Sequence, residues 1–545
     1  MSHLQLASAL FLSITLVGCG GGGGGDTDSP ALDPQPSLPS ENWAAGVFPA
    51  SSQYKDYCAN PRVGIDPQDN EPYPDKAGSV MLEKLWLRSF SHETYLWYDE
   101  LPDPNPSTFD SIAAYFDVLK TSASTPSGKA KDDFHFSESY EDYIKEAQSG
   151  VVAGYGVRWA IINRTPPRLI RVAYTQDNSP AELAGLQRGD TLIEVDSIDI
   201  DATDSSSIAT INAGLQPDLG TTHSFTFVRT DSQTNTAEQY KVSLTAQDIE
   251  TTPVQNAHVQ SINNRKVGYV QFNQFISAGQ RPLINAFQMF ASSDIDELVL
   301  DLRYNGGGLI NMAAQLGYMI AGSTNTLAAA PETGRVFSQT IYNDKRSAEN
   351  YDVKFSARAI DWSERVYTDE VLPSPELNRV YILTTASTCS ASELIINSLL
   401  GIDVEVVLIG DQTCGKPFGF SPTPNCGEVY YTIQFKNENA KGFGDYTDGF
   451  IPVPAAQNNG ELGLTSQVSG CSVADDFEHS LGAANEALFA AALNYMETGL
   501  CPPANQQRPT RASEYIMRGP AIDVPLHSLR DGMYILPIQR TKNEQ

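Results

Sequence analysis

The stretch L-V-L-D-L-R-Y-N-G-G-G, residues 298–308, decides the fold class. Its first half is an apolar run broken by one Asp, the pattern of a strand covered on both faces in a parallel sheet. Its second half ends in three glycines, which let other groups approach the backbone closely and turn the chain out of the strand. Strands of the same kind recur at 267–272, 380–383 and in V-E-V-V-L-I, residues 404–409. Helical periodicity marks 281–291, 311–320, 391–400 and 485–495. Strand and helix alternate, so residues 253–501 read as an α/β core domain.

Working upstream, residues 148–250 change to short β-rich runs such as V-R-W-A-I-I, T-L-I-E-V-D and S-F-T-F-V-R-T. Among them lies S-P-A-E-L-A-G-L-Q-R-G-D, residues 179–190. Pro180 suits the first turn of a short helix, and Gly185 and Gly189 end it and turn the chain. Residues 46–147 read as a mostly helical N-terminal domain. Leu82, Leu85, Trp86 and Phe90 recur at helical spacing, and Tyr95, Trp97 and Tyr98 are read as packing aromatics.

At the N-terminus, residues 4–17 form an apolar run of about fourteen, short for a membrane span and right for a signal-peptide core. It is the single run that could enter a bilayer, which excludes a multispanning transporter. It ends in L-V-G-C, and this resembles a bacterial lipoprotein signal with Cys19 as the lipidated residue. Residues 1–18 are then the signal and 19–45, opening with six glycines, a flexible tether. The other reading is an ordinary cleaved secretory signal. The tail, 502–545, is polar with several Arg and Pro and suggests no fold.

Thirty-six Lys+Arg against 66 Asp+Glu in 545 residues give a net charge of −30, which argues against a nucleic-acid partner. Seven cysteines, less Cys19, leave six: Cys58, Cys389, Cys414, Cys426, Cys471 and Cys501. An even remainder in an exported chain suggests disulfides, with fifteen possible full pairings. Zinc is disfavoured, because no C-x-x-C occurs and no His adjoins these cysteines. Asp475 and Asp476 are read as loop-stabilising rather than metal-binding.

Three segments of the core could carry chemistry. The glycines of 306–308 can expose backbone N–H groups to a developing anion. T-A-S-T-C-S-A-S-E-L, residues 385–394, is a small-residue turn that can present Ser390 at a helix N-terminus. I-G-D-Q-T-C-G-K-P-F-G, residues 409–419, places Lys416 on a loop after a buried strand. Alone, each has an ordinary reading: a glycine-rich turn, a helix cap, a solvated charge.

Together, D-L-R-x-N-x-G-G, then S-A-S-E, then G-K in that order resemble the C-terminal processing (tail-specific) serine peptidases. The resemblance implies an αβ spiral core like that of crotonases, with Ser390 as nucleophile and Lys416, 26 residues later, as general base. It also implies that residues 148–250 are a PDZ domain, with Gly154, Tyr155, Gly156 and Val157 in the place of the carboxylate-binding loop. The chemistry agrees: a Ser hydroxyl needs a base, no His lies near the three segments, and a lysine can serve once burial favours its free amine. Ala391 N–H with that of Gly306 or Gly307 would form the oxyanion hole.

Phe420 departs from the family, many members of which have Gln there. A Cys389–Cys414 disulfide would hold the two loops together; a Cys414–Cys426 bond is the alternative. Glu393 is read as capping its helix.

The expectation is therefore a lipid-anchored endopeptidase of the cell envelope acting on protein or peptide substrates, with no cofactor. By the lipoprotein resemblance, Gly20 rather than Asp after the lipid Cys implies the outer membrane, where the cell has one, facing the periplasm or exterior. Two alternatives remain: a catalytically silent peptide-binding surface lipoprotein, or an esterase on the same scaffold.

Overall fold

Apolar strands with no polar face must be covered on both sides, and this sets the centre of the molecule. In the computed structural model, which describes residues 38–503 except 69, 150, 231–233, 235, 331–332 and 459, together with 521–522 and 533–534, a seven-stranded sheet forms the core. Its order is Val254–Ile262, Arg265–Phe272, Glu297–Asp301, Arg379–Thr384, Glu405–Gly410, Gln467–Ser472 and Ile451–Val453. The first pair is antiparallel and every other pair parallel. All five residues of Glu297–Asp301 are buried.

One face carries the helices Gln280–Ser293, Ile310–Thr326 and Ala391–Gly401, whose apolar residues join the largest cluster with Val270, Leu298, Leu300 and Ile382. Alternate residues, Val299, Tyr381, Leu383, Val407 and Ile409, pack the other face against the helix Ala487–Thr498. The expected core strands and helices are all present within a few residues. Segment 327–378, for which the sequence suggests no element, adds the strands Val336–Tyr342, Tyr351–Lys354, Arg358–Asp361 and Val366–Val371. The first two join a sheet with Phe435–Glu438 and Phe418–Gly419.

Residues 151–250 form a separate β-rich layer. Its sheet runs Ala237–Thr245, Thr222–Thr230, Thr191–Val195, Leu169–Thr175 and Val157–Asn163, the last strand at an edge. Ser179 caps the short helix Pro180–Leu183 through Glu182 N–H, with Pro180 in its first turn. Gly185 and Gly189 take φ of +80° and +91°. At Gly189 a Cβ would lie 2.3 Å from the Phe477 carbonyl oxygen, so glycine is required where this layer meets the core.

The N-terminal region is less helical than its periodicity predicts. Among the described residues of this region, helix is confined to Val80–Thr94, Ile112–Phe116, Tyr140–Ser149 and single 3-10 turns. Pro61, Pro67, Pro72 and Pro74 lie in the irregular segment before the first helix, where proline removes donors and blocks helical continuation. The strand Phe136–Ser139 pairs with Glu428–Tyr431, so this region completes a sheet of the core.

Disulfides join Cys58–Cys426, Cys389–Cys414 and Cys471–Cys501. The Cys414–Cys426 alternative is thus overturned: Cys426 ties the core to the N-terminal region. No helix among the described residues is long and apolar enough to cross a membrane. The expected signal, Cys19 and most of the tether and tail lie outside the described residues.

Candidate active site

The strands Glu297–Asp301, Arg379–Thr384 and Glu405–Gly410 are adjacent and parallel, so the loops after their C-terminal ends meet at one edge of the sheet. Ligands in open α/β sheets bind at such an edge. The three loops carry Gly306, Ser390 and Lys416.

Backbone bonds stitch the first loop to the second. Asn305 carbonyl accepts Cys389 N–H at 3.0 Å and Ser392 Oγ at 3.0 Å. Thr388 Oγ1 donates to Leu302 carbonyl at 2.9 Å, and Thr385 Oγ1 donates to Arg303 carbonyl. Asn305 Nδ2 donates to Phe272 carbonyl at 2.9 Å while its Oδ1 accepts Gly307 N–H at 2.9 Å. Gly307 is therefore occupied, and Gly306 becomes the better candidate donor of the two. Gly308 has φ +129°, and a Cβ there would sit 2.2 Å from the Phe275 carbonyl oxygen, so this turn admits no side chain.

Ser390 is the N-cap of Ala391–Gly401, a helix whose every residue is buried. Its φ of 62° and ψ of −115° are unusual for a residue with a Cβ and mark a sharp strand-to-helix turn. Its hydroxyl is buried and, among the described residues, has no hydrogen-bond partner. Ala391, the first helical residue, brings an N–H that the helix itself does not use.

Glu393 connects the second loop to the third. Its Oε2 accepts Ser390 N–H at 3.0 Å and Lys416 N–H at 2.8 Å, and its Oε1 accepts Gly415 N–H at 2.8 Å and Thr413 Oγ1 at 2.5 Å. Burial pushes this carboxyl up, against the pull of those donors. The expected cap is thus also a clamp across 23 residues. The Cys389–Cys414 disulfide adds a covalent link beside it. Cys389, Glu393 and Cys414 bring ligand-type atoms within 4.8 Å of one another, yet both sulfurs are spent in the disulfide and the carboxylate already takes four protein donors. That donor set does not fit a metal.

Lys416 is 2 % exposed. Its Nζ lies 4.2 Å from the ring centre of Phe420 and 4.5 Å from that of Phe134. Phe420, where the family often has Gln, forms one wall of a water-poor recess. Phe134 is the residue the sequence could not reveal, since it comes from the N-terminal region.

Beneath the site, Arg303 is fully buried and pairs with Asp301, Asp475 and Glu486. Asp475 also binds Arg188, which reaches across from the β-rich layer, at 2.7 Å. Arg188 donates to Tyr304 Oη at 2.7 Å, and Arg158 donates to Tyr304 carbonyl at 3.2 Å. Tyr304 is two residues from Gly306, so the network runs from the β-rich layer to the glycine turn. Neighbouring Asp476 accepts His479 Nδ1 and Ala487 N–H, a loop-stabilising role.

Gly154, Tyr155, Gly156 and Val157 line a cleft of about 630 Å³ together with Trp159 and Ile161 of the edge strand and Leu215, at the end of the helix Ser205–Leu215. Tyr155 and Gly156 carbonyls accept Ala181 and Gln176 N–H, which fixes the loop.

Residues 266–434 match the peptidase family S41 domain, and residues 83–137 match the peptidase S41 N-terminal domain. A carboxyl-terminal-processing protease of Picosynechococcus sp. is 30% identical over 276 residues, 50% of this chain and 56% of that protein. One from Synechocystis sp. is 25% identical over 274 residues, 50% of this chain and 55% of that protein. The chain spans about half the length of these relatives. The crystal structure of a Bacteroides fragilis protein assigned to the S41 proteases superimposes with a TM-score of 0.54 at 24% identity, over 78% of this chain and 98% of that one, and has the same fold. Motif order, sheet edge and these matches together assign residues 266–434 to the peptidase family S41 domain and residues 83–137 to the S41 N-terminal domain.

Proposed function

We propose that this chain is a serine endopeptidase of the cell envelope that cleaves protein or peptide substrates through Ser390 and Lys416. The observation that carries the reading is the Glu393 clamp, which binds the backbone of both residues at one carboxylate. In the proposed reaction Ser390 Oγ attacks the peptide carbonyl carbon while its proton passes to Lys416 Nζ. The tetrahedral oxyanion is held by Ala391 and Gly306 N–H. Collapse expels the amine, which takes the proton from Lys416, and water then releases the acyl group by the reverse sequence.

Residues 148–250 act in this reading as a PDZ domain. A substrate segment would add as a strand to the edge Val157–Asn163, with its side chains in the cleft and its terminal carboxylate at Gly154–Val157. Three disulfides fit an oxidising compartment. With L-V-G-C at 16–19, this supports export and a lipid anchor at Cys19, in the outer membrane where the cell has one. Mass spectrometry of the mature N-terminus tests the anchor: an unmodified Cys19 removes it.

A second reading, a silent peptide-binding lipoprotein, is favoured by two ring contacts of Lys416. The rings of Phe134 and Phe420 exclude water from Lys416 Nζ, which serves a base, but ring faces also attract an ammonium, which opposes one. Turnover of an unfolded fluorogenic protein by wild type, Ser390→Ala and Lys416→Ala separates the two. Loss of at least about 10³-fold in both variants supports the dyad. Equal turnover by all three eliminates it, and none by wild type favours the silent binder.

A further inference from the structure

Beyond Pro503 the chain is described again at two places, and both are held by main-chain contacts. Ile522 is 1% exposed in the apolar core of the β-rich layer, beside Ile170, Phe225 and Leu244. Its N–H donates to Arg164 carbonyl at 3.1 Å, and Arg164 Nη2 donates to Ile522 carbonyl at 3.0 Å. Eleven residues later Met533–Tyr534 form a parallel ladder with Gly308–Leu309, Met533 opposite Gly308 and Tyr534 opposite Leu309. The same pair lies beside Phe418–Gly419.

These partners belong to the candidate active site. Gly308 stands two residues after Gly306, and Phe418 two residues after Lys416. On its other side Gly308 bridges to Phe275, and Leu309 N–H donates to Phe275 carbonyl at 2.8 Å. The short strand Gly308–Leu309 therefore has one edge satisfied by the core and a second edge filled by Met533–Tyr534. A free strand edge beside an acyl-transfer site is where an extended peptide gains main-chain hydrogen bonds. The sequence there is M-Y-I-L-P-I, residues 533–538, an apolar run within the otherwise polar tail.

We infer that Met533–Tyr534 occupies, as an added β-strand, the peptide-binding edge of the candidate active site, so that this chain carries a tethered competitor which a substrate must displace. The inference rests on the peptidase reading for the meaning of that edge. Ile522, anchored eleven residues away, holds the segment at an effective concentration on the order of 1 mM. An intrinsic dissociation constant of about 0.1 mM would then raise the apparent KM about tenfold with kcat unchanged.

The test compares the full chain with one ending at Arg530, which keeps Ile522, after equal melting temperatures confirm folding. KM for the fluorogenic protein is expected to fall about tenfold in the shortened chain at constant kcat. A labelled peptide of residues 531–540, D-G-M-Y-I-L-P-I-Q-R, is expected to bind the shortened chain carrying Ser390→Ala and not the full-length Ser390→Ala chain, read by fluorescence anisotropy. Equal peptide binding by both, or binding by neither, overturns the inference, as does an unchanged KM. Peptide binding restricted to the shortened chain with no turnover by any variant upholds occupancy and defeats the peptidase reading instead.

Discussion

Glu393 accepts the backbone N–H of Lys416 at 2.8 Å through the oxygen that also takes the N–H of Ser390. A carboxylate is acceptor-only, so all four donors around it are satisfied by one group. Glu393→Gln would turn an NH2 toward N–H donors and break at least two of these bonds. The expected loss is about 2–4 kcal/mol of stability by urea denaturation, with a parallel fall in turnover. A variant as stable and active as wild type would show that the clamp is not needed.

The Cys389–Cys414 disulfide closes a loop of 25 residues between the same two segments. Replacing both with Ser is expected to remove about 3 kcal/mol of stability. Turnover should fall further than the population of folded protein does, because Ser390 and Lys416 flank the link. Urea denaturation and kcat measured on the same preparation check both parts.

Arg303 illustrates how burial sets the size of an effect. Arg303→Ala leaves Asp301 and Glu486 buried without their cation and is expected to cost about 3–5 kcal/mol. Arg281 pairs with Glu370 at 2.6 Å, but both side chains are exposed, and Arg281→Ala is expected to change stability by less than about 1 kcal/mol. Denaturant midpoints of the two variants should separate clearly; similar values would contradict this.

His135 sets an acid limit. Burial, helped slightly by Lys120, pushes it down to about 4 from 6.5, while Asp132 and Asp117 pull the other way. Below pH 6.5 the unfolded chain takes up a proton that the folded chain refuses, so stability falls until about pH 4 and then levels. His135→Phe should remove about 3 kcal/mol of that fall. Melting curves from pH 7 to pH 4 on both proteins test it. Phe134, next in sequence, packs on Lys416, so turnover should follow the same profile.

The parts of this molecule that periodicity controls were legible in the sequence. The run 298–308 gave a buried strand and a glycine turn; Gly306, Ser390 and Lys416 were grouped by the family resemblance of three motifs, and parallel strands carry their loops to one sheet edge. Long-range partners were not legible. Nothing local marks Phe134 as the neighbour of Lys416, or chooses Cys58 for Cys426 among fifteen pairings. Glu393 read as a cap because a cap is local, whereas its bonds to Gly415 and Lys416 depend on how the strands stack. The tail suggested no fold because polar composition dominates it, while Ile522 is held by a core made elsewhere.

The most direct test is covalent. A fluorophosphonate probe attacks a serine only where a base and oxyanion donors already activate it. Peptide mapping by mass spectrometry should place the adduct on Ser390 in wild type. Lys416→Ala, at an unchanged melting temperature, should lose it. An adduct on another serine, or one on Ser390 that forms as fast without Lys416, would contradict the account.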